Sequence, residues 1–247
     1  MFYDEVLAKI HDEQFGTLAV GAAELVRDLL HERGHTHGTV VDLGCGSGIF
    51  AAAMVDAGYD VVGIDVSADM LRIAQRRAPS ATFRCESVID AALPDAIAIT
   101  AIGEVLNYGH DARMLDVDLT PLFARVRAAL APGGVFVFDV ASAGRVGPTG
   151  ARDSFHEADD WTLTMHAAES DDRTRLDRHI TVFHRADGEC FHRVHEHHVL
   201  RLLEPHDVQQ VLEACGFAVE RRGGYGGSSA GFMPEGEGWS VFVATAR

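Results

Sequence analysis

Lysine is almost missing from this chain: Lys9 is the only one, so arginine carries nearly all the positive charge. Base is short overall, with 21 Lys and Arg against 37 Asp and Glu, a formal net charge of −16 with His neutral. Phosphate backbones are bound by basic faces and none is visible, which argues against a nucleic-acid partner. Cysteine is scarce as well. Cys45, Cys85, Cys190 and Cys215 lack the paired spacing of a metal site, and a reducing cytosol is the simplest setting for them. No apolar run approaches the length of a bilayer span. The opening Met1-Phe2-Tyr3-Asp4-Glu5 has neither the basic nor the apolar region of a signal peptide. Internal repeats and low-complexity segments are absent too. Together these absences predict a cytoplasmic protein without a membrane partner.

What is there is an α/β pattern. The 247 residues, 47% of them hydrophobic, can bury one substantial core. Val40-Val41-Asp42-Leu43 is an apolar strand that runs into Gly44-Cys45-Gly46-Ser47-Gly48, and a helix follows from Ile49. Glycines at such a turn let a ligand approach the main chain, and the helix aims unpaired N–H groups at the same spot. The next strand, Asp60 to Asp65, ends in a carboxylate about 20 residues on, where α/β nucleotide folds place the acid that holds ribose hydroxyls. A dinucleotide dehydrogenase fits poorly. Its pattern needs Gly or Ala where this chain has Ile49, and Asp42 would repel a pyrophosphate. A ligand carrying an ammonium and a sulfonium would tolerate that acid.

With these residues in view, the chain resembles the class I S-adenosylmethionine-dependent methyltransferases of the bacterial small-molecule type. Asp42 to Gly48 matches the family's acid-x-Gly-x-Gly-x-Gly motif, and Asp65 its ribose acid. The resemblance implies S-adenosyl-L-methionine as cofactor, bound by Asp42, Gly44, Cys45, Gly46, Gly48, Asp65, Val66, Met70, Ser87, Val88 and Gly103. Ser87 stands where the family usually has an acid for the adenine amino group. His11-Asp12 stands where a Tyr-Asp pair commonly caps the cofactor. The segment Gly103-Glu104-Val105-Leu106-Asn107-Tyr108 follows the fourth strand, Asp95 to Ala101, and Glu104, Asn107 and Tyr108 are expected to face the methyl-transfer site. Asp139, ending the fifth strand, is expected at the same rim.

The implied architecture is a doubly wound, Rossmann-like, mostly parallel sheet with a terminal antiparallel hairpin, Phe217 to Arg221 with Trp239 to Thr245, and an inserted small antiparallel sheet. Residues 1–34 read as a helical cap, 35–144 and 204–247 as the cofactor-binding core, and 145–203 as the insertion. Three strands are expected in the insertion: Trp161 to Ala167, Arg175 to Arg185 and Phe191 to Leu202. Period two separates His195 and His197 from His192 and His198, so the histidine tract offers at most two ligands per face and no metal is expected. Glu196 and His198 share a mostly apolar face with Val194, Leu200 and Leu202. A carboxylate that orients an imidazole raises its basicity. Glu104, Tyr108, Glu196 and His198 are therefore the catalytic candidates, and Arg175, Arg185 and Arg193 are candidate anion holders. The expected activity is methyl transfer to oxygen or nitrogen of a small-molecule acceptor by a monomer or homodimer. A non-catalytic protein that binds the same cofactor is the alternative, with an NAD-dependent dehydrogenase third.

Overall fold

A computed structural model describes residues 5–14, 16–186, 190–226 and 238–247. Phe2, Tyr3, Phe15 and the Asp187-Gly188 turn lie outside them. The preface is two helices, α1 (Glu5–Gln14) and α2 (Thr17–Glu32). There follow β1 (Thr39–Leu43), α3 (Ile49–Asp56), β2 (Asp60–Asp65), α4 (Ala68–Arg77), β3 (Thr82–Cys85) and β4 (Ala96–Ala101). A 3-10 turn at Ala112–Leu115 precedes α5 (Thr120–Ala129) and β5 (Leu130–Ala141). Next come β6 (Ala151–Glu157), β7 (Trp161–Glu169), β8 (Arg175–Arg185) and β9 (Phe191–Arg201), then α6 (Pro205–Ala214), β10 (Phe217–Arg222) and β11 (Trp239–Ala246).

Seven strands form one sheet in the order β10-β11-β5-β4-β1-β2-β3. Pairing is parallel from β3 across to β5, and β11 runs antiparallel to both β5 and β10. The sheet is apolar on both faces because helices cover both. Phe136, Phe138 and Phe242 share one face with Phe123 and Val126 of α5 and Leu212 of α6. Val135, Val137, Val241 and Val243 face the other way, toward Val26 and Leu30 of α2 and Phe50 and Met54 of α3. Phe138 and Phe242 stack with ring centres 5.0 Å apart, which ties the antiparallel β11 to the parallel part. Ser67 caps α4 by accepting the Met70 N–H at 3.2 Å, as its position before the apolar run predicts.

The inserted sheet has four strands, β6-β7-β8-β9, all antiparallel. Its extra strand, β6, is an exposed edge with polar residues on both faces, so it lacks the alternation by which the other three are recognised. One face of this sheet carries Leu163, Ile180 and Val182, which pack with Leu7 and Ile10 of α1. The other face is open and bears His166, His179, His195 and His197, with exposed Phe155 and Phe183. His179 and His197 stack at 4.3 Å with nearly parallel rings. Among the described residues no group of three or more His, Cys, Asp or Glu is disposed to hold a metal ion. No described helix is long and apolar enough to cross a membrane.

Candidate active site

One cavity of about 380 Å³ opens at the carboxyl ends of the parallel strands, between the large sheet, α1 and the inner face of the inserted sheet. Of the residues expected at the cofactor, all but Gly48 line it. Gly48 is the N-cap of α3, and a Cβ there would stand 2.9 Å from Ala74 Cβ, so it serves helix packing instead. Among the three glycines of the turn, Gly46 is the one with open space beside it. Its φ is +51°, and a Cβ added to it would meet nothing within 4 Å.

Two carboxylates stand in the half of the cavity beside the glycine turn, where the cofactor is expected. Asp65 accepts the Gly46 N–H on Oδ2 at 2.9 Å and the Ser67 N–H on Oδ1 at 2.8 Å, which fixes it at the turn with lone pairs to spare for ligand hydroxyls. Burial raises its pKa against those backbone donors. Asp42 is 2% exposed and accepts from Thr100 Oγ1 at 2.8 Å. Burial pushes it up to about 7; the Thr100 hydrogen bond opposes this and the charge of Asp65 adds to it. This donor set favours a cationic ligand over an anionic one, which fits a sulfonium and an ammonium and does not fit a pyrophosphate. From α1, His11 lines the cavity. Its neighbour Asp12 receives Arg77 Nη1 and Nη2 at 2.5 and 2.9 Å, while Arg77 Nη1 also donates to the Ser47 carbonyl at 2.6 Å. The His11-Asp12 pair thus divides its work: the imidazole faces the cavity and the carboxylate staples the cap to α4.

The other half is built on the loop after β4. Glu104 takes a φ of +64°, a conformation that costs a non-glycine residue energy and needs an external hold. Asp139 supplies that hold. It accepts the Gly103 N–H on Oδ2 and the Glu104 N–H on Oδ1, both at 2.7 Å, and also Trp239 Nε1 at 3.1 Å and the Tyr225 hydroxyl. Asp139 is 0% exposed, so it is an anchor beneath the rim and not part of it. Asn107 is corrected in the same way. Its amide donates to the Ala141 and Arg201 carbonyls, both at 2.8 Å, and its Oδ1 accepts the Ala141 N–H at 3.0 Å, so it faces backbone instead of ligand.

Glu104 and Tyr108 do line the cavity. Arg178 Nη2 and Arg145 Nε donate to the two Glu104 oxygens at 2.7 and 2.5 Å. Burial opposes ionisation of Glu104, but the two guanidiniums prevail and hold it at about 2. A carboxylate so held takes up no proton near neutrality. Arg178 Nη1 donates to the Tyr108 hydroxyl at 2.7 Å. His198 lines the cavity, whereas Glu196 sits behind it and does not. Their hydrogen bond, His198 Nε2 to Glu196 Oε2, is 2.8 Å. A carboxylate only accepts, so Nε2 carries the proton and Nδ1 the basic lone pair. Burial lowers the pKa of His198 and the Glu196 hydrogen bond only partly restores it. His110 stacks on Tyr108 at 4.6 Å, and burial lowers it to about 2. Burial likewise lowers His11 to about 4.

His110, Asp111, Arg145, His156 and Arg178 line the cavity without having been singled out by the sequence. The expected anion holders, Arg175, Arg185 and Arg193, are exposed instead. Arg178 had a usable signal. It shares strand parity with the buried Leu176, Ile180 and Val182, while Arg175, Arg185 and Arg193 lie on the opposite face.

Comparison with known proteins bears on this geometry. The family described as a methyltransferase domain matches residues 40–134, which run from β1 through the cofactor half to the start of β5. The protein YqeM of Bacillus subtilis (strain 168), named as a methyltransferase, is 27% identical over 194 residues, 74% of this chain and 75% of its own. The dTDP-3-amino-3,6-dideoxy-alpha-D-glucopyranose N,N-dimethyltransferase of Streptomyces fradiae is 27% identical over 196 residues, 74% of this chain and 71% of its own. Among solved structures, an S-adenosylmethionine-dependent methyltransferase from Clostridium acetobutylicum ATCC 824 superposes with a TM-score of 0.78 at 19% identity, covering 96% of each chain. With residues 40–134 matched as a methyltransferase domain and the fold matched end to end, the chain carries a methyltransferase domain within the fold of the S-adenosylmethionine-dependent methyltransferases.

Proposed function

We propose that the enzyme methylates an amine nitrogen of a small molecule. The observation that carries this reading is the neutral His198 imidazole, backed by Glu196, at a cavity wall that also bears Glu104, whose charge Arg145 and Arg178 neutralise. An alkylammonium must lose a proton before its lone pair can attack, and an imidazole that is neutral and desolvated is suited to take it. The name of the Streptomyces fradiae relative, an N,N-dimethyltransferase acting on an amino sugar nucleotide, supports nitrogen as the target.

The bound cofactor supplies an electrophilic methyl group on sulfur, and transfer is a direct displacement in which most of the rate comes from holding the partners close and in line. The chain's own contributions follow from its contacts. Asp65 and the Gly46 turn hold the nucleoside end, and Asp42 favours positive charge near β1. Arg178 fixes the Tyr108 hydroxyl, and the inner face of the inserted sheet with α1 excludes water. His198 Nδ1 receives the proton that the amine releases. Small amino sugars, free and nucleotide-linked, should yield products heavier by one methyl with release of S-adenosylhomocysteine, read by mass spectrometry. Hydroxyl analogues of the same size should stay unchanged. Methylated hydroxyl compounds beside inert amines would overturn nitrogen as the target and leave the enzyme class standing.

A further inference from the structure

The outward edge of the cavity lies at β3, the strand beyond β2 in the large sheet. A nucleoside whose ribose meets Asp65 at the β2 tip must set its base over the neighbouring β3 tip, where Ser87 and Val88 line the wall. Ser87 Oγ is unusually constrained. It donates its one proton to Asp111 Oδ2 at 2.8 Å and accepts the Ile89 N–H at 3.3 Å. A hydroxyl has one proton and two lone pairs, so what remains for a ligand is a single lone pair. Asp111 lines the same wall and comes from a separate segment, as N-cap of the 3-10 turn. Arg113 Nε bonds both Asp111 oxygens, at 2.9 and 3.0 Å, so this acceptor stays charged and in place. For Ser87 to act as a donor instead, it would have to abandon a charge-assisted bond.

We infer that Asp111 is a positioning residue for cofactor recognition: it locks Ser87 as a hydrogen-bond acceptor, so that the pair reads the exocyclic amino group of the purine and rejects a 6-oxo purine. The carboxylate that position 87 lacks is thereby supplied from another element, through the serine. The inference rests on S-adenosylmethionine as the cofactor.

Calorimetric titration with S-adenosylhomocysteine and S-inosylhomocysteine tests it without reference to turnover. The wild-type protein should prefer the adenosyl compound by about thirtyfold or more, because the inosyl oxygen would face an acceptor. Asp111→Ala frees the serine proton, and the preference should fall to within about threefold. Asp111→Asn still accepts that proton and should keep most of the preference. Adding Ser87→Asp to the Asp111→Ala background puts an acceptor directly on the wall and should restore it. If Asp111→Ala yields no folded protein, Ser87→Ala reads the same wall and should likewise lose the preference. Full preference in either alanine variant, or no preference in the wild type, would overturn the inference. A wild-type protein that binds neither compound would instead overturn the cofactor on which it rests.

Discussion

Asp42 lines the cavity with a carboxyl whose protonation should respond to a bound cofactor. Burial pushes this carboxyl up from 3.8 to about 7 in the fold, with the Thr100 hydrogen bond opposing the rise and the Asp65 charge adding to it. A folded pKa above the unfolded one means that the fold binds the proton more tightly. Its contribution to stability is therefore full below about 4 and is lost as the pH rises through about 7. A cationic ligand reverses the preference and favours the ionised form. Cofactor binding near pH 7 should thus expel a fraction of a proton from Asp42, and affinity should increase as the pH rises through that range. Calorimetry in buffers of different ionisation enthalpy reads the release. Asp42→Asn should abolish it, weaken cofactor binding by about tenfold, and raise the melting point of the ligand-free protein at alkaline pH. Equal release from the variant would mean that another group titrates. The place of Asp42 in the cavity wall was legible in sequence because it is local to the glycine turn. Asp139 and Asn107 were misread as rim residues because their partners, Tyr225 and Trp239 for the one and Ala141 and Arg201 for the other, lie far along the chain.

At the scale of elements, the cap helix α1 owes its position to few contacts. Leu7 and Ile10 reach the inserted sheet, and Asp12 grips Arg77 through a bidentate pair. Arg77 at the same time holds the Ser47 carbonyl, so α1, α4 and the glycine turn meet at one guanidinium. Charge-assisted bidentate pairs are geometrically specific, and this one stands only partly screened by solvent. Asp12→Ala should leave the large sheet intact and loosen the cap. Amide hydrogen exchange in α1 should accelerate while β1, β4 and β5 keep their protection, and cofactor affinity should fall about three- to tenfold. Unchanged exchange in α1 would mean that its apolar contacts suffice. Most elements were legible, since the parallel strands other than β3 are mostly apolar runs and α4 and α6 begin at recognisable caps. The strand β6 was not, because an edge strand in solvent has no apolar face to impose a pattern. His156, which β6 presents to the cavity, went unnoticed with it.

Across the whole molecule, the two sheets divide the cavity between them. Residues of β1, β2 and β3 with α1 line one half, which we assign to the cofactor, and the loop after β4 with the inserted sheet lines the other, which we assign to the acceptor. The join between the sheets is short. Tyr108 bridges Leu200, the Gly109 N–H meets the Val199 carbonyl at 2.8 Å, and the Arg201 N–H meets the Asn107 carbonyl at 2.9 Å. Asn107 stands at its centre, with its side chain spanning the end of β5 and the end of β9. Asn107→Ala would leave the Ala141 N–H and the Arg201 carbonyl without their side-chain partner, the Ala141 carbonyl keeping the Leu203 N–H, which should lower the unfolding free energy by about 2–4 kcal/mol. It should also let the inserted sheet shift against Tyr108, so that acceptor turnover drops by about tenfold or more, since small misplacements at a displacement reaction are expensive. The cofactor half is built on other strands, and its affinity for S-adenosylmethionine should stay within about threefold. Urea unfolding, steady-state kinetics and calorimetry measure the three quantities separately. A parallel fall in cofactor affinity would mean that the halves respond as one body, and that the inserted sheet takes part in holding the cofactor as well as the acceptor.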